Sequence, residues 1–158
     1  LKIYLAGAIE AAPDDGKAWR RDITQFLDAE FGIEVFDPSQ HEQDFLTVEE
    51  KQNFRQWKST DIKRFRPVIK KIIDRDLEQL LKKSDAVICL WDEYVIPGGG
   101  THGELTLAYE HKLPVYLVLG MPIGKVSSWI VGCTTEIFLN FEEMKQFLLE
   151  KGFKNIIE

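Results

Sequence analysis

Disulfide chemistry, a membrane span and a basic surface are all missing from this sequence. Its two cysteines, Cys89 and Cys133, lie too far apart for a CxxC redox or zinc pair. The fold must therefore rest on a buried core, and a reducing compartment is expected. No apolar run approaches the roughly 18 residues of a membrane-spanning helix, and no basic-then-apolar secretory pattern opens the sequence. The chain reads as cytoplasmic, with no membrane partner. Twenty basic against 26 acidic residues leave a net charge of −6, which argues against duplex nucleic acid as a partner. Repeats and low-complexity linkers are absent too. What is present is 158 residues, 44% hydrophobic and 29% charged, the size and balance of a single domain over 1–158.

Short β-rich runs alternate with amphipathic stretches, the pattern of a parallel α/β sheet. Strands are expected at Lys2–Leu5, Ile33–Phe36, Ala86–Trp91 and Val115–Leu119, with a weaker fifth at Thr135–Phe138. A helix from about Asp15 carries Trp19, Ile23, Phe26 and Leu27 on one face, and Gly32 ends it. Another runs from Pro67 to Leu81 with an apolar stripe of Ile69, Ile72, Ile73, Leu77 and Leu80. Five strands with intervening helices imply a flavodoxin-like, doubly wound five-stranded parallel sheet with helices on both faces. The connection from Asp37 to Arg66 is longer than a βα loop needs. Thr47 and Glu50 are spaced as a capping box for a short helix inside it, read as a lid or an oligomer contact.

Ligands in open α/β sheets bind beyond the carboxyl ends of the strands, which singles out the loops Gly7–Gly16, Asp92–Thr101 and Gly120–Ser128. The second holds the strongest local signal, Pro97-Gly98-Gly99-Gly100-Thr101-His102-Gly103-Glu104. Consecutive glycines let a ligand approach the backbone and permit positive φ. Glu104 has two readings. It caps its own helix through Thr101, or it is a nucleophile whose ionised form is favoured by the first helical turn. Asp76 interrupts the apolar stripe of its helix, where an unpartnered carboxylate is costly, whereas Asp74 falls off the stripe. Asp14, Asp15 and Arg20 of the first loop and its helix are placed to meet a ligand, as are Trp91, Asp92 and Tyr94 after the third strand. The basic residues Lys58, Lys63, Arg64, Arg66, Lys70 and Lys71 form either a solvated face or a gate for an anionic nucleotide, with Trp57 or Phe65 to stack on a base. No metal-ligand spacing and no cofactor motif emerges.

Lys2-Ile3-Tyr4-Leu5-Ala6-Gly7, Asp76-Leu77 and Gly100-Thr101-x-x-Glu104-Leu105-x-x-Ala108, in that order, resemble the nucleoside 2-deoxyribosyltransferase family, which includes the 2-deoxynucleoside 5-monophosphate N-glycosidases. The resemblance implies cleavage of an N-glycosidic bond with transfer of the sugar to another base, or to water in the glycosidases. It makes Glu104 the nucleophile, Tyr4 its hydrogen-bonding partner, and Asp76 a sugar contact or proton relay. Gly7, Ala8, Asp92, Gly98, Gly99, Gly100, Thr101, Ser127 and Ser128 would bind substrate. The partners implied are a nucleoside or nucleoside monophosphate and a free nucleobase, together with a second copy of the chain in a homo-oligomer with shared sites. Gly98 stands where the transferases commonly have aspartate. The first loop reads Gly7-Ala8-Ile9-Glu10 where the glycosidases have a phosphate-holding Gly-Ser-Ile-Arg. Ser127 matches a serine that reaches a neighbouring subunit's phosphate pocket in those glycosidases. A nucleotide-binding module with little turnover is the reading of another class.

Overall fold

Each central strand alternates its side chains between two apolar layers. In β1 (Lys2–Ala6), Tyr4 and Ala6 enter one buried cluster, and Ile3 and Leu5 the other. In β3 (Ala86–Trp91), Val87, Cys89 and Trp91 face the first layer and Ala86 and Ile88 the second; β4 (Val115–Leu119) repeats the pattern. With a period of two, strands apolar at every position fill both faces of a covered sheet. All pairings are parallel and the order is β2-β1-β3-β4-β5, with β2 at Glu34–Phe36 and β5 at Glu136–Phe138. This is the expected doubly wound α/β fold in the flavodoxin-like order. The computed structural model describes residues 1–41 and 45–152, so positions 42–44 of the long connection lie outside it.

One face of the sheet is covered by α1 (Lys17–Phe31) and α7 (Phe141–Lys151), through Ile23, Leu27, Met144 and Leu148. The other face receives Leu80 and Leu77 of α4 (Ile62–Lys83), Leu105 and Ala108 of α5 (Gly100–Glu110) and Ile130 of α6 (Ser128–Gly132). A short α2 (Pro38–His41) follows β2, and α3 (Val48–Thr60) comes next. Helix α3 packs only partly on the main body: Phe54 and Leu46 join Val68 and Ile72 of α4 in a separate small core.

Three expectations need correction. Helix α4 begins at Ile62, five residues before Pro67, because Asp61 caps it through the Arg64 N–H. The interior proline forfeits a backbone bond, which the burial of Val68 and Ile72 against Phe54 offsets. The Thr47–Glu50 capping box forms with both of its hydrogen bonds, at 2.9 and 3.1 Å, but it starts a 13-residue helix rather than a short one. Ile73, assigned to the core stripe, is exposed.

Candidate functional site

The chain runs outward from β1 to β2 and returns to the opposite side of β1 as β3, so the two loops that leave β1 and β3 diverge and open a crevice. A cavity of about 600 Å³ occupies it, within the range of small-molecule sites. Its floor is Gly7 and Ala8, one side is Gly98, Gly99, Gly100, Thr101 and Glu104, and Asp76 and Ile72 of α4 face them. Phe54, Arg55 and Lys58 of α3 and Phe65 of α4 form the outer wall.

The first loop is shaped by Arg20, a fully buried side chain. Its guanidinium donates to the carbonyls of Gly7 at 2.9 Å, Ala8 at 3.2 Å and Gly16 at 3.0 Å. Two glycines permit this wrapping: a Cβ at Gly16, where φ is 68°, would stand 2.3 Å from the Ala8 oxygen, and one at Gly7 would stand 3.0 Å from the Trp19 ring. The expectation that Arg20 meets a ligand is thereby corrected, since it lies beneath the loop. Asp14 and Asp15 have local partners. Asp14 accepts from the Gly16 and Ala18 N–H groups, and Asp15 pairs with Arg55 at 3.0 Å.

In the glycine run none of the residues 98–100 has a positive φ, so the backbone itself does not demand glycine. What the glycines leave is space. A Cβ at Gly99 would meet nothing within 4 Å, and one at Gly100 would come 4.0 Å from Glu104 Oε1. Helix α5 starts at Gly100 with Gly99 as a cap that lacks a side-chain hydrogen bond, so the Thr101–Glu104 capping box is not formed. Glu104 sits on the second turn, beyond the reach of the unpaired N–H groups that would favour its charge.

Burial decides the state of Glu104 instead. Its Oε2 is enclosed with no partner of regular geometry, while the residue keeps an edge on the cavity. Desolvation raises its pKa from 4.5 to about 7; the Tyr4 hydroxyl and Arg20 pull it down, and Asp76 pushes it up. Tyr4 on β1 stacks on Phe36 at 5.4 Å and points its buried hydroxyl at Glu104, close enough to couple their ionisation though short of a regular hydrogen bond. Burial and the two carboxylates keep Tyr4 protonated well above its ordinary range. Asp76 is not a bare carboxylate. Arg75 Nε and Nη2 hold its Oδ1 at 3.0 and 2.8 Å, and Arg75 in turn donates to the Pro38 carbonyl at 3.3 Å and lies over Phe45. Partial burial raises the Asp76 pKa against that pairing.

Of the residues singled out from sequence, Gly7, Ala8, Asp76, Gly98, Gly99, Gly100, Thr101 and Glu104 line one cavity, with Tyr4 behind Glu104. Asp92 is not among its walls: it caps the turn Glu93–Val95 through the Tyr94 N–H and leans on Gly120. Trp91 is wholly buried, its ring edge-on to His102, whereas Tyr94 does reach the cavity. Ser127 and Ser128 lie exposed at the start of α6, away from the cavity. Phe65 is on the outer wall, but Trp57 lies beneath the Arg64 guanidinium at 4.0 Å. The walls from Phe54 and Arg55 went unread in the sequence; their one signal was the capping box that starts α3. Among the described residues, no cluster of three or more His, Cys, Asp or Glu is arranged to hold a metal, and no helix is long and apolar enough to cross a membrane.

No family model and no curated protein matches the sequence. Among solved structures, the chain is similar to a 2-deoxyribosyltransferase from the psychrotolerant bacterium Bacillus psychrosaccharolyticus, a biocatalyst for nucleoside synthesis. The TM-score is 0.67 at 19% identity, over 99% of this chain and 96% of that one. It is also similar to a conserved protein from Enterococcus faecalis V583, with a TM-score of 0.60 at 15% identity, over 95% of this chain and 98% of that one. At these identities the likeness shows the fold, which bears out the resemblance at that level.

Proposed function

We propose that the chain is an enzyme that cleaves the N-glycosidic bond of a deoxynucleoside and transfers the sugar to a second nucleobase. The observation that carries this reading is the placing of Glu104: a carboxylate with one oxygen enclosed and one edge open, under a glycine run that leaves room for a sugar. Glu104 attacks C1′ from its open edge, the C1′–N bond breaks, and its electron pair leaves on the base, which takes up a proton. A ring nitrogen of a second base then displaces Glu104 from the glycosyl ester and loses its own proton. Tyr4, held neutral, aims its hydroxyl at the carboxylate and orients it. Asp76, with Oδ1 held by Arg75, accepts from a sugar hydroxyl or relays the proton to the leaving base. Phe54, Phe65 and Tyr94 offer ring surface to a base.

An uncompensated cation at the cavity would favour a monophosphate as substrate. Arg55 and Lys58 are already paired with Asp15 and Glu10 of the first loop, at 3.0 and 3.1 Å, which favours the uncharged nucleoside. The same reading places residues 125–129 against a neighbouring copy. It is supported by Trp129, which leaves α6 with 68% of its surface exposed.

Incubation with a panel of nucleosides and monophosphates, with and without a second free base, tests the reading by chromatography. Base exchange on a deoxynucleoside is the expected result. Release of free sugar regardless of acceptor points to a hydrolase, and binding without turnover to a sensing module.

A further inference from the structure

Arg20 is a buried cation that the glycosyl-transfer chemistry does not itself use. We infer that Arg20 is a positioning residue of this site: its guanidinium both pins the first loop into the cavity floor and supplies the fixed positive charge that the carboxylates of the cavity face. The inference rests on the reading of the cavity as the reaction centre.

The geometry has two parts. Three carbonyls, of Gly7, Ala8 and Gly16, converge on Nη1 and Nη2, and the guanidinium stacks on Trp19 at 4.7 Å. A planar fork satisfies such a cradle where a compact ammonium does not. The loop it closes carries Gly7, Ala8, Ile9, Glu10 and Ala11 into the cavity. The charge is incompletely neutralised: Asp37 Oδ1 stands 3.5 Å from Nε, which makes no regular hydrogen bond, and the Asp37 oxygen is shared with the Ser39 N–H and hydroxyl at 2.9 and 2.6 Å. The groups around the centre are Tyr4 of β1, Asp37 after β2, Arg75 and Asp76 of α4, Cys89 of β3, Asp92 after it, and Glu104 of α5. Arg20 interacts favourably with the ionised form of each carboxylate in that set and lowers the Glu104 pKa. The fixed cation beneath the first loop thus opposes the cost of charging Glu104.

The test needs no turnover, so it stands apart from the proposed activity. The melting-temperature difference between a parent and its Glu104→Gln derivative, followed against pH, reports the titration of Glu104 in the fold. Amide hydrogen exchange over residues 7–16 reports the loop. In Arg20→Met the Glu104 midpoint is expected to rise, with exchange of the loop at least about tenfold faster. Arg20→Lys keeps the charge but not the cradle: the midpoint stays near the parent value while the loop still exchanges faster. Asp37→Asn, which leaves Arg20 in place and frees its charge, lowers the midpoint. A midpoint unmoved in folded Arg20→Met, or unmoved in Asp37→Asn where Arg20→Met does not fold, overturns the electrostatic part. Unchanged loop exchange in Arg20→Lys overturns the anchoring part.

Discussion

Glu104→Gln converts the carboxyl into a neutral amide of the same shape, so its effect on stability isolates the cost of ionising a carboxylate that the fold encloses. The Glu104 pKa is raised in the folded chain to about 7 from an ordinary 4.5. Between those values the folded protein holds a proton that the unfolded chain has released, so stability falls as pH rises through that window. Below about 4.5 both states are protonated and the penalty is absent; above about 7 it is complete. At about 1.4 kcal/mol per pH unit the gap corresponds to about 3 kcal/mol. That value is a ceiling, because the cavity edge of the carboxylate is wet and solvent screens it. For a chain of this length it amounts to about 5–10 °C in melting temperature. Thermal denaturation of both proteins from pH 4.5 to 8.5 is the assay. Nearly equal melting temperatures are expected at the acid end, and a Glu104→Gln protein that melts higher at the alkaline end. Carboxylates away from the cavity titrate in both proteins and cancel. A difference that does not change with pH would refute the claim that burial raises Glu104, and with it the electrostatic account of the site.

The same value places the acid limb of kcat/KM near pH 7, since attack needs the ionised carboxylate; a profile flat from pH 5.5 to 8 would assign the nucleophile elsewhere. Asp76→Asn should lower kcat/KM at least about 100-fold while Asp74→Asn, on an exposed position, stays within about twofold; steady-state kinetics of the two variants decide it. Gly16→Ala forces a Cβ to within 2.3 Å of the Ala8 oxygen at a left-handed φ of 68° and should cost about 1–3 kcal/mol in chemical denaturation. Gly99→Ala meets open space and should leave stability within about 0.5 kcal/mol. Trp129→Glu should give smaller and less active particles by light scattering if residues 125–129 complete a neighbouring site; equally sized, fully active particles refute the shared site.

Periodicity is what made the architecture readable. β1, β3 and β4 are runs of buried residues with sharp turn signals on either side, and such runs belong to strands covered on both faces whatever lies around them. The helix from Ile62 was misread at its start because proline is a strong local signal, whereas the competing cap at Asp61 works through one hydrogen bond and the burial of Phe54 against Val68 and Ile72 works only once α3 has folded back. Asp92 and Asp76 show the same division. Asp92 ends a buried strand and Asp76 interrupts a helical apolar stripe, so both stand out in one dimension, yet one turns to cap Glu93–Val95 and the other meets Glu104 across the crevice.

By itself, then, the sequence determined the parallel α/β class, the strand positions, and the two carboxylates and glycine run worth watching, because these depend on side-chain type and spacing along the chain. The tertiary structure alone decided that Arg20 lies under the first loop, that Phe54 and Arg55 wall the cavity, and that Glu104 is uncapped and titrates near neutrality. Those properties come from desolvation and from charges brought together across Tyr4, Arg20, Asp76 and Glu104, residues on four separate elements whose proximity no local pattern encodes.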